Sequence, residues 1–249
     1  MSSFFSRLFN RNNFELENFN VFAVDMHSHL IPNIDDGSKS LDESILLVKE
    51  LNDLGFSRII TTPHIMAGGY DNTTEVIRKG AFILNEALKE EGISTHVEAA
   101  AEYYMDENFE RLIQEEDLLT FGDRYVLFEL SYLFEQKGFN EVVFNLNSKD
   151  FRPVLAHPER YPYYYGKTTS KFQEIKERGV YFQLNLMSLC GKYGPQARRA
   201  AIQLIEDEMI DFVGTDIHHK NQLPELKRVL KEKPIQKLVE NEYLLNKKL

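Results

Sequence analysis

Residues Val21–Leu30 read VFAVDMHSHL, an apolar run that ends in two histidines two positions apart. Val21–Met26 has the β-branched and aromatic content of a strand. Residues two apart on a strand point to the same side, so His27 and His29 can serve one metal ion. The pair alone fits a structural role equally well. What decides the reading is that the same kind of ending recurs down the chain. A second strand, Arg58–Thr62, runs into Pro63-His64, and a third, Thr95–Ala101, runs into Glu102. A fourth, Tyr125–Leu130, carries Glu129. A fifth, Pro153–Ala156, is followed by His157 and then Pro158-Glu159-Arg160. A seventh, Asp211–Thr215, is followed by Asp216 and then Ile217-His218. Only the sixth, Val180–Asn185, lacks such an ending, and the loop after the first strand adds Asp35-Asp36-Gly37.

Between these runs lie helical patterns. Ser40–Leu54 opens on a capping box of Ser40 and Glu43 and stops at Gly55. Further helices are expected over Thr73–Glu91, Asp106–Glu115, Asn140–Asn147, Ser170–Arg178 and Pro195–Glu208, with helical material from Pro224 onward. Strands alternating with helices form parallel sheet, either open and doubly wound or closed into a barrel. Donors at the ends of many strands suit a barrel, which gathers them on one face. Singly, a carboxylate after a strand is often a helix cap. Together, these positions take five of the seven histidines.

Composition bounds the function. The chain has 249 residues, with 29 Lys and Arg against 39 Asp and Glu, for a net charge of −10. That balance argues against non-specific nucleic-acid binding. It leaves a phosphorylated substrate open, because bound metal can reverse the local field. Cys190 is the only cysteine, so an internal disulfide is excluded and a reducing cytoplasm is expected. Position 196, six residues on, is Gln rather than the Arg of a cysteine-based phosphatase loop. No apolar run approaches the roughly 18 residues that span a membrane. Residues 1–20 read as an N-terminal extension and 21–249 as a single domain. Phe4, Phe5, Leu8 and Phe9 could line one face of a short helix that packs, frays or touches a membrane surface.

Imidazoles mixed with carboxylates, and no thiolate, suit manganese, iron or zinc with open coordination positions. The candidates are His27, His29, His64, Glu102, Glu129, His157, Asp216 and His218, with a carboxylate from the Asp35-Asp36 pair. They exceed one ion's needs, so two or three divalent ions are expected. Clustered metals of this kind hydrolyse phosphate esters.

The segments DMHSHLIPNIDDGSKSLDES, GFSRIITTPHIMAG, FEL, LAHPERY and TDIHH, with the Glu102 region, span Asp25 to His219. In these the chain resembles the polymerase-and-histidinol-phosphatase (PHP) family. Within it, the chain is most similar to the protein-tyrosine phosphatases of bacterial capsule and exopolysaccharide loci. The resemblance implies a distorted TIM-like (β/α)7 barrel holding up to three ions, often manganese. It implies one ion on His27, His29, Glu102 and Asp216. A second would lie on Glu102, Glu129 and His157, and a third on Asp36, His64 and His218. Arg160 would bind the substrate phosphate, and His218 joins it in the catalytic set. Many relatives place a further Arg beyond the last Asp-x-His, where this chain reads HHKNQLPELK, with Lys220 nearest and Arg228 farther on. The implied reaction is attack on phosphotyrosine by a metal-bridging hydroxide, without a cysteine intermediate. The implied partner is a tyrosine kinase of polysaccharide synthesis.

Other readings stay open at this point. One is a small-molecule phosphatase acting on histidinol phosphate. Another is a non-catalytic metal-binding scaffold of polysaccharide assembly. An amidohydrolase fits less well: Glu129 stands where that class has a modified Lys, and Asp36 and His64 would be surplus. Tyr161–Tyr165 (YPYYY), directly after Arg160, reads either as an aromatic wall for a phosphotyrosine ring or as loop packing. Tyr103 and Tyr104 carry the same ambiguity.

Overall fold

The computed structural model describes residues 15–249; the Phe4–Phe9 face lies outside them. Nine short strands alternate with helices, and every pairing between strands is parallel. One sheet has the order β1 (Val24–Asp25), β2 (Arg58–Thr61), β4 (Val97–Ala99). The other runs β3 (His64–Ile65), β5 (Glu102–Tyr104), β6 (Tyr125–Glu129), β7 (Arg152–Ala156), β8 (Tyr181–Asn185), β9 (Phe212–Gly214).

The second and third expected strands are found shortened as β2 and β4, and two further strands, β3 and β5, follow just beyond their expected ends; Pro63 falls between β2 and β3. It has no N–H to give to a ladder. Its carbonyl instead accepts from Glu102 N at 3.1 Å, while Thr61 O accepts from Ala100 N at 2.8 Å. The chain therefore passes from β2 to β3, and from β4 to β5, while changing sheets. At the opposite edges, Ser28 bridges Ile217 in parallel. Asp216 N donates to His27 O at 2.7 Å and His29 N to Ile217 O at 2.9 Å. β1 is shorter than its sequence suggests, because Asn18–Ala23 forms a tight turn with Ala23 at φ 64°.

Burial follows the period of two expected of strands covered on both faces. Val126 and Phe128 join the large core under the helices. Tyr125 and Leu127 join a smaller set with Val24, Met26, Ile60, Val154 and Phe212. Leu16 and Phe19 are buried in the large core.

The helices are α1 (Leu41–Asp53), α2 (Thr74–Glu90), α3 (Glu107–Glu115), α4 (Phe139–Ser148), α5 (Thr168–Lys176), α6 (Pro195–Glu206), α7 (Leu223–Val229) and α8 (Pro234–Glu240). Half of the expected capping box is present on α1. Ser40 Oγ accepts from Glu43 N at 3.1 Å, but the Glu43 carboxylate takes Lys39 N instead of Ser40 N.

Candidate metal centre

The strand-end residues converge. All nine candidate donors lie around one cavity of about 650 Å³ or directly behind its wall. Glu102, at the start of β5, stands in the middle. Its Oε2 lies 3.1 Å from His27 Nε2, 3.4 Å from His29 Nε2 and 3.3 Å from His64 Nδ1. Its Oε1 lies 2.9 Å from His157 Nε2. Asp216 Oδ1 is 3.4 Å from His27 Nε2 and 3.5 Å from both His29 Nε2 and His218 Nδ1. Asp36 Oδ1 lies 3.5 Å from the Nε2 atoms of His64 and His218.

Three groups have donor atoms close enough to share an ion. They are His27, His29, Glu102 and Asp216; His29, Asp36, His64 and His218; and His64, Glu102 and Glu129. The first matches the resemblance residue for residue. The second adds His29 to the expected three. The third has His64 with Glu102 and Glu129, its Nδ1 3.3 Å from each, while the expected His157 stands beside the same carboxylates with its Nε2 2.9 Å from Glu102 and 3.9 Å from Glu129.

The residues present fit a cation. His27 Nδ1–H donates to Gln183 Oε1 at 2.9 Å, and His29 Nδ1–H to Asp35 Oδ2 at 2.8 Å. Each ring therefore presents Nε2 as a lone pair, and the two Nε2 atoms face each other at 3.3 Å. Two lone pairs at that distance repel unless a positive charge lies beside them. His64 Nδ1 is buried with no hydrogen-bond partner. Such Nδ1 partners behind the ring are what orient metal-binding imidazoles.

Electrostatics points the same way. Burial penalises the imidazolium of His27, but the charges of Glu102 and Asp216 more than offset it and raise its pKa. His29 is raised further, burial being outweighed by Asp35 and by hydrogen bonds to Asp216 and Glu102. Glu129 is pushed well up, first by burial and then by the Glu102 charge. His157 is pushed down to about 4 by burial and by Arg160.

Local backbone explains the motifs. In the Asp35-Asp36-Gly37 turn, Asp35 orients His29 and accepts from Gly37 N at 2.8 Å and His64 N at 3.1 Å. A Cβ on Gly37 would meet His29 O at 2.4 Å. His157 and Asp216 sit in the left-handed region, at φ 33° and 51°, a strain that surrounding contacts must hold.

Arg160 lies on the cavity wall. Its Nη1 donates to Asp216 Oδ2 at 2.7 Å. Its guanidinium lies 4.0 Å from the Tyr193 ring centroid and 4.9 Å from that of Tyr132. Glu159 is buried beneath. Its Oε1 accepts from Ser188 Oγ at 2.6 Å and Asn185 N at 3.1 Å, and burial pushes its carboxyl up to about 7. Among the described residues lining the cavity, Arg160 is the one Lys or Arg. Arg228 instead reaches Cys190 O, away from the site, at 3.4 Å. Cys190 stands outside the cavity as well, its Sγ donating to Met187 O.

The aromatic-wall reading of Tyr161–Tyr165 does not hold. Tyr161 and Tyr164 are buried, and none of the segment lines the cavity. Their hydroxyls bond to the neighbouring loop, where a buried Tyr can satisfy its polar end. Tyr103 is likewise buried, its Oη accepting from Leu119 N at 2.7 Å. Tyr104, Tyr132 and Tyr193 line the cavity instead. The sequence reading did not find Tyr132, Tyr193, Gln183 or Asn185. Asn185 Nδ2 donates to Asp216 Oδ2 at 2.7 Å and to Tyr193 Oη at 3.0 Å. The available signal was the polar alternation in the otherwise apolar strand YFQLN.

Residues 23–246 match the family model for capsular polysaccharide synthesis, CpsB/CapC. The chain belongs to this family. It is 30% identical over 197 residues to the tyrosine-protein phosphatase YwqE of Bacillus subtilis, covering 79% of this chain and 77% of that one. It is 26% identical to the putative tyrosine-protein phosphatase CapC of Staphylococcus aureus, covering 91% and 90%. A solved structure from work on YwqE of B. subtilis and CpsB of Streptococcus pneumoniae, described there as metal-dependent tyrosine phosphatases, superposes with a TM-score of 0.76. Identity is 28%, over 89% of this chain and 96% of that one. In this CpsB/CapC member the matched span contains all nine candidate donors and Arg160.

Proposed function

We propose that this chain is a metal-dependent protein-tyrosine phosphatase of capsule or exopolysaccharide synthesis. The observation that carries the reading is the convergence of nine imidazoles and carboxylates with Arg160 around one cavity, in a CpsB/CapC chain. The substrate is a phosphotyrosine protein, and the partner chemistry fits a tyrosine kinase of polysaccharide assembly.

His27, His29, Asp36, His64, Glu102, Glu129, His157, Asp216 and His218 would hold two or three divalent ions, manganese first, with iron or zinc as alternatives. Bound there, such ions lower the pKa of a coordinated water and offset charge on phosphate oxygens. Gln183, Asp35 and the Asp216 carbonyl fix the Nδ1–H of His27, His29 and His218, and so aim each Nε2. Arg160 uses one donor on Asp216 and presents the rest to the phosphate, where its planar fork suits two oxygens. Tyrosinate, with an ordinary pKa near ~10, leaves without obligatory protonation. His218 would act through the ion it helps to hold, since its Nδ1–H is taken by the Asp216 carbonyl and its Nε2 faces the metal group. Cys190, outside the cavity, takes no part.

We read the two sheets as one seven-stranded barrel. The support is β2–β3 and β4–β5 acting as single strands, and the bonds joining His27–His29 to Asp216–Ile217. We also read residues 21–249 as one domain, with residues before 21 as an extension whose Leu16 and Phe19 enter the same core. Among the described residues no helix is long and apolar enough to cross a membrane. A cytoplasmic setting agrees with the single cysteine.

The test is phosphate release with manganese and with chelator, from a phosphotyrosine peptide, a phosphoserine peptide and histidinol phosphate. Manganese-dependent release mainly from phosphotyrosine is expected. The His27→Ala, His29→Ala double variant should lose metal and activity together. Preference for histidinol phosphate would overturn the protein-phosphatase reading, and full activity in the double variant would overturn the metal site.

A further inference from the structure

Between β6 and α4, the loop Leu130–Gln136 carries two apolar side chains that the core does not take. Leu133 is 89% exposed and Phe134 is 59% exposed. Leu133 stands on the wall of the same cavity as Arg160. Single exposed apolar residues are ordinary. This loop, however, is tied down at several points. Leu130 N donates to Tyr161 Oη at 2.9 Å, and Tyr163 Oη donates to Ser131 O at 2.8 Å. Ser131 N donates to Gln136 Oε1 at 2.6 Å and Leu133 N to Ser131 Oγ at 3.2 Å. Tyr161 is itself buried, its Oη donating to Ala156 O at 3.1 Å. The same loop reaches inward through Tyr132, which packs over Arg160. Leu133 is thus held outward on the wall of the cavity, and Phe134 is exposed next to it in the chain. Adjacent apolar side chains fixed in water beside a binding site mark a contact surface.

The geometry also says what arrives there. Arg160 and the exposed Leu133 line the same cavity, so a substrate whose phosphate reaches Arg160 has Leu133 on the wall beside it. For a phosphotyrosine within a polypeptide, the residues flanking the tyrosine lie along that wall. We propose that Leu133 and Phe134 form an apolar lip that receives the apolar side chain beside the phosphotyrosine of a polypeptide substrate. The protein therefore prefers phosphotyrosines with apolar neighbours. The inference rests on the phosphotyrosine reading of the site.

The experiment uses the full chain with manganese and two phosphotyrosine peptides. They differ only in the residues flanking the phosphotyrosine, Leu in one and Ser in the other. Wild type should favour the Leu peptide by about tenfold in kcat/KM, the scale of one partly buried apolar side chain. The Leu133→Ser, Phe134→Ser double variant should erase that preference, and Leu133→Met with Phe134→Leu should keep it. A general loss of activity would scale both peptides equally and leave their ratio intact. No preference in wild type, or a preference retained in the Ser variant, overturns the lip alone. Hydrolysis of histidinol phosphate with both peptides untouched overturns the phosphotyrosine reading and the lip with it.

Discussion

Arg160 shows how a single side chain is prepared for its task. Alone on a loop it would sample many rotamers, and binding phosphate would have to order it. Here Asp216 takes one N–H, and the rings of Tyr132 and Tyr193 close on the guanidinium plane. A cation over an aromatic face is worth about 0.5–2 kcal/mol. Tyr193→Ala should therefore lower kcat/KM for a phosphotyrosine peptide by about fivefold, chiefly through KM, while Tyr193→Phe keeps most of it. Equal losses in the two variants would mean that the hydroxyl held by Asn185, not the ring, positions Arg160. At this scale the donors were legible, because His, Asp and Glu are chemically distinctive and recur at strand ends. Tyr132, Tyr193, Gln183 and Asn185 were not, because each acts through a contact far along the chain. Wall and packing both stayed open for YPYYY for a related reason: adjacency to Arg160 in sequence does not fix which way a ring turns, and packing turned Tyr161 and Tyr164 inward.

At the scale of elements, the short turn after β1 shows how a motif becomes geometry. Asp35-Asp36-Gly37 divides three tasks among three residues. Asp35 orients His29 from behind, Asp36 faces His64 and His218, and Gly37 lets the turn lie against the His29 backbone. The demand on Gly37 is close approach, because a methyl there meets both His29 O and His29 Cβ below 3 Å. Gly37→Ala should cost about 1–3 kcal/mol as overpacking and displace His29. Melting temperature and bound metal per chain, measured on the same sample, should fall together. A variant that melts lower yet binds metal normally would separate the turn from the centre. The helices were legible within a few residues from their caps. The division of β2 from β3 was less so, although Pro63 stood in view; a missing N–H marks a break but does not say that the chain resumes in another sheet.

Across the whole molecule, strands from distant parts of the chain bring Asp35, Glu102, Glu129 and Asp216 into one buried volume, where their charges repel unless cations or protons balance them. Parallel strand–helix alternation was legible in the sequence, and so was the face on which the donors gather. The pairing of the segment after the first strand with the segment after the last was not, because it depends on hydrogen bonds from His29 N to Ile217 O and from Asp216 N to His27 O, between residues far apart in the chain. The charge balance yields a pH prediction. In metal-free protein His27 and His29 have pKa values raised above the unfolded histidine value near ~6.5 by neighbouring carboxylates. Their stabilisation is therefore fully present below that value and fades as pH rises through the folded values. Metal needs the same nitrogens unprotonated, so its binding strengthens over the same range. The chelated protein should lose melting temperature from pH 6 to pH 8.5, and the manganese-loaded protein should not. Their gap should widen with pH, since a ligand stabilises by RT ln(1 + [L]/Kd). In the His27→Ala, His29→Ala double variant the gap should be small at every pH. A gap in wild type that narrows as pH rises would mean that protons and cations do not compete for these histidines.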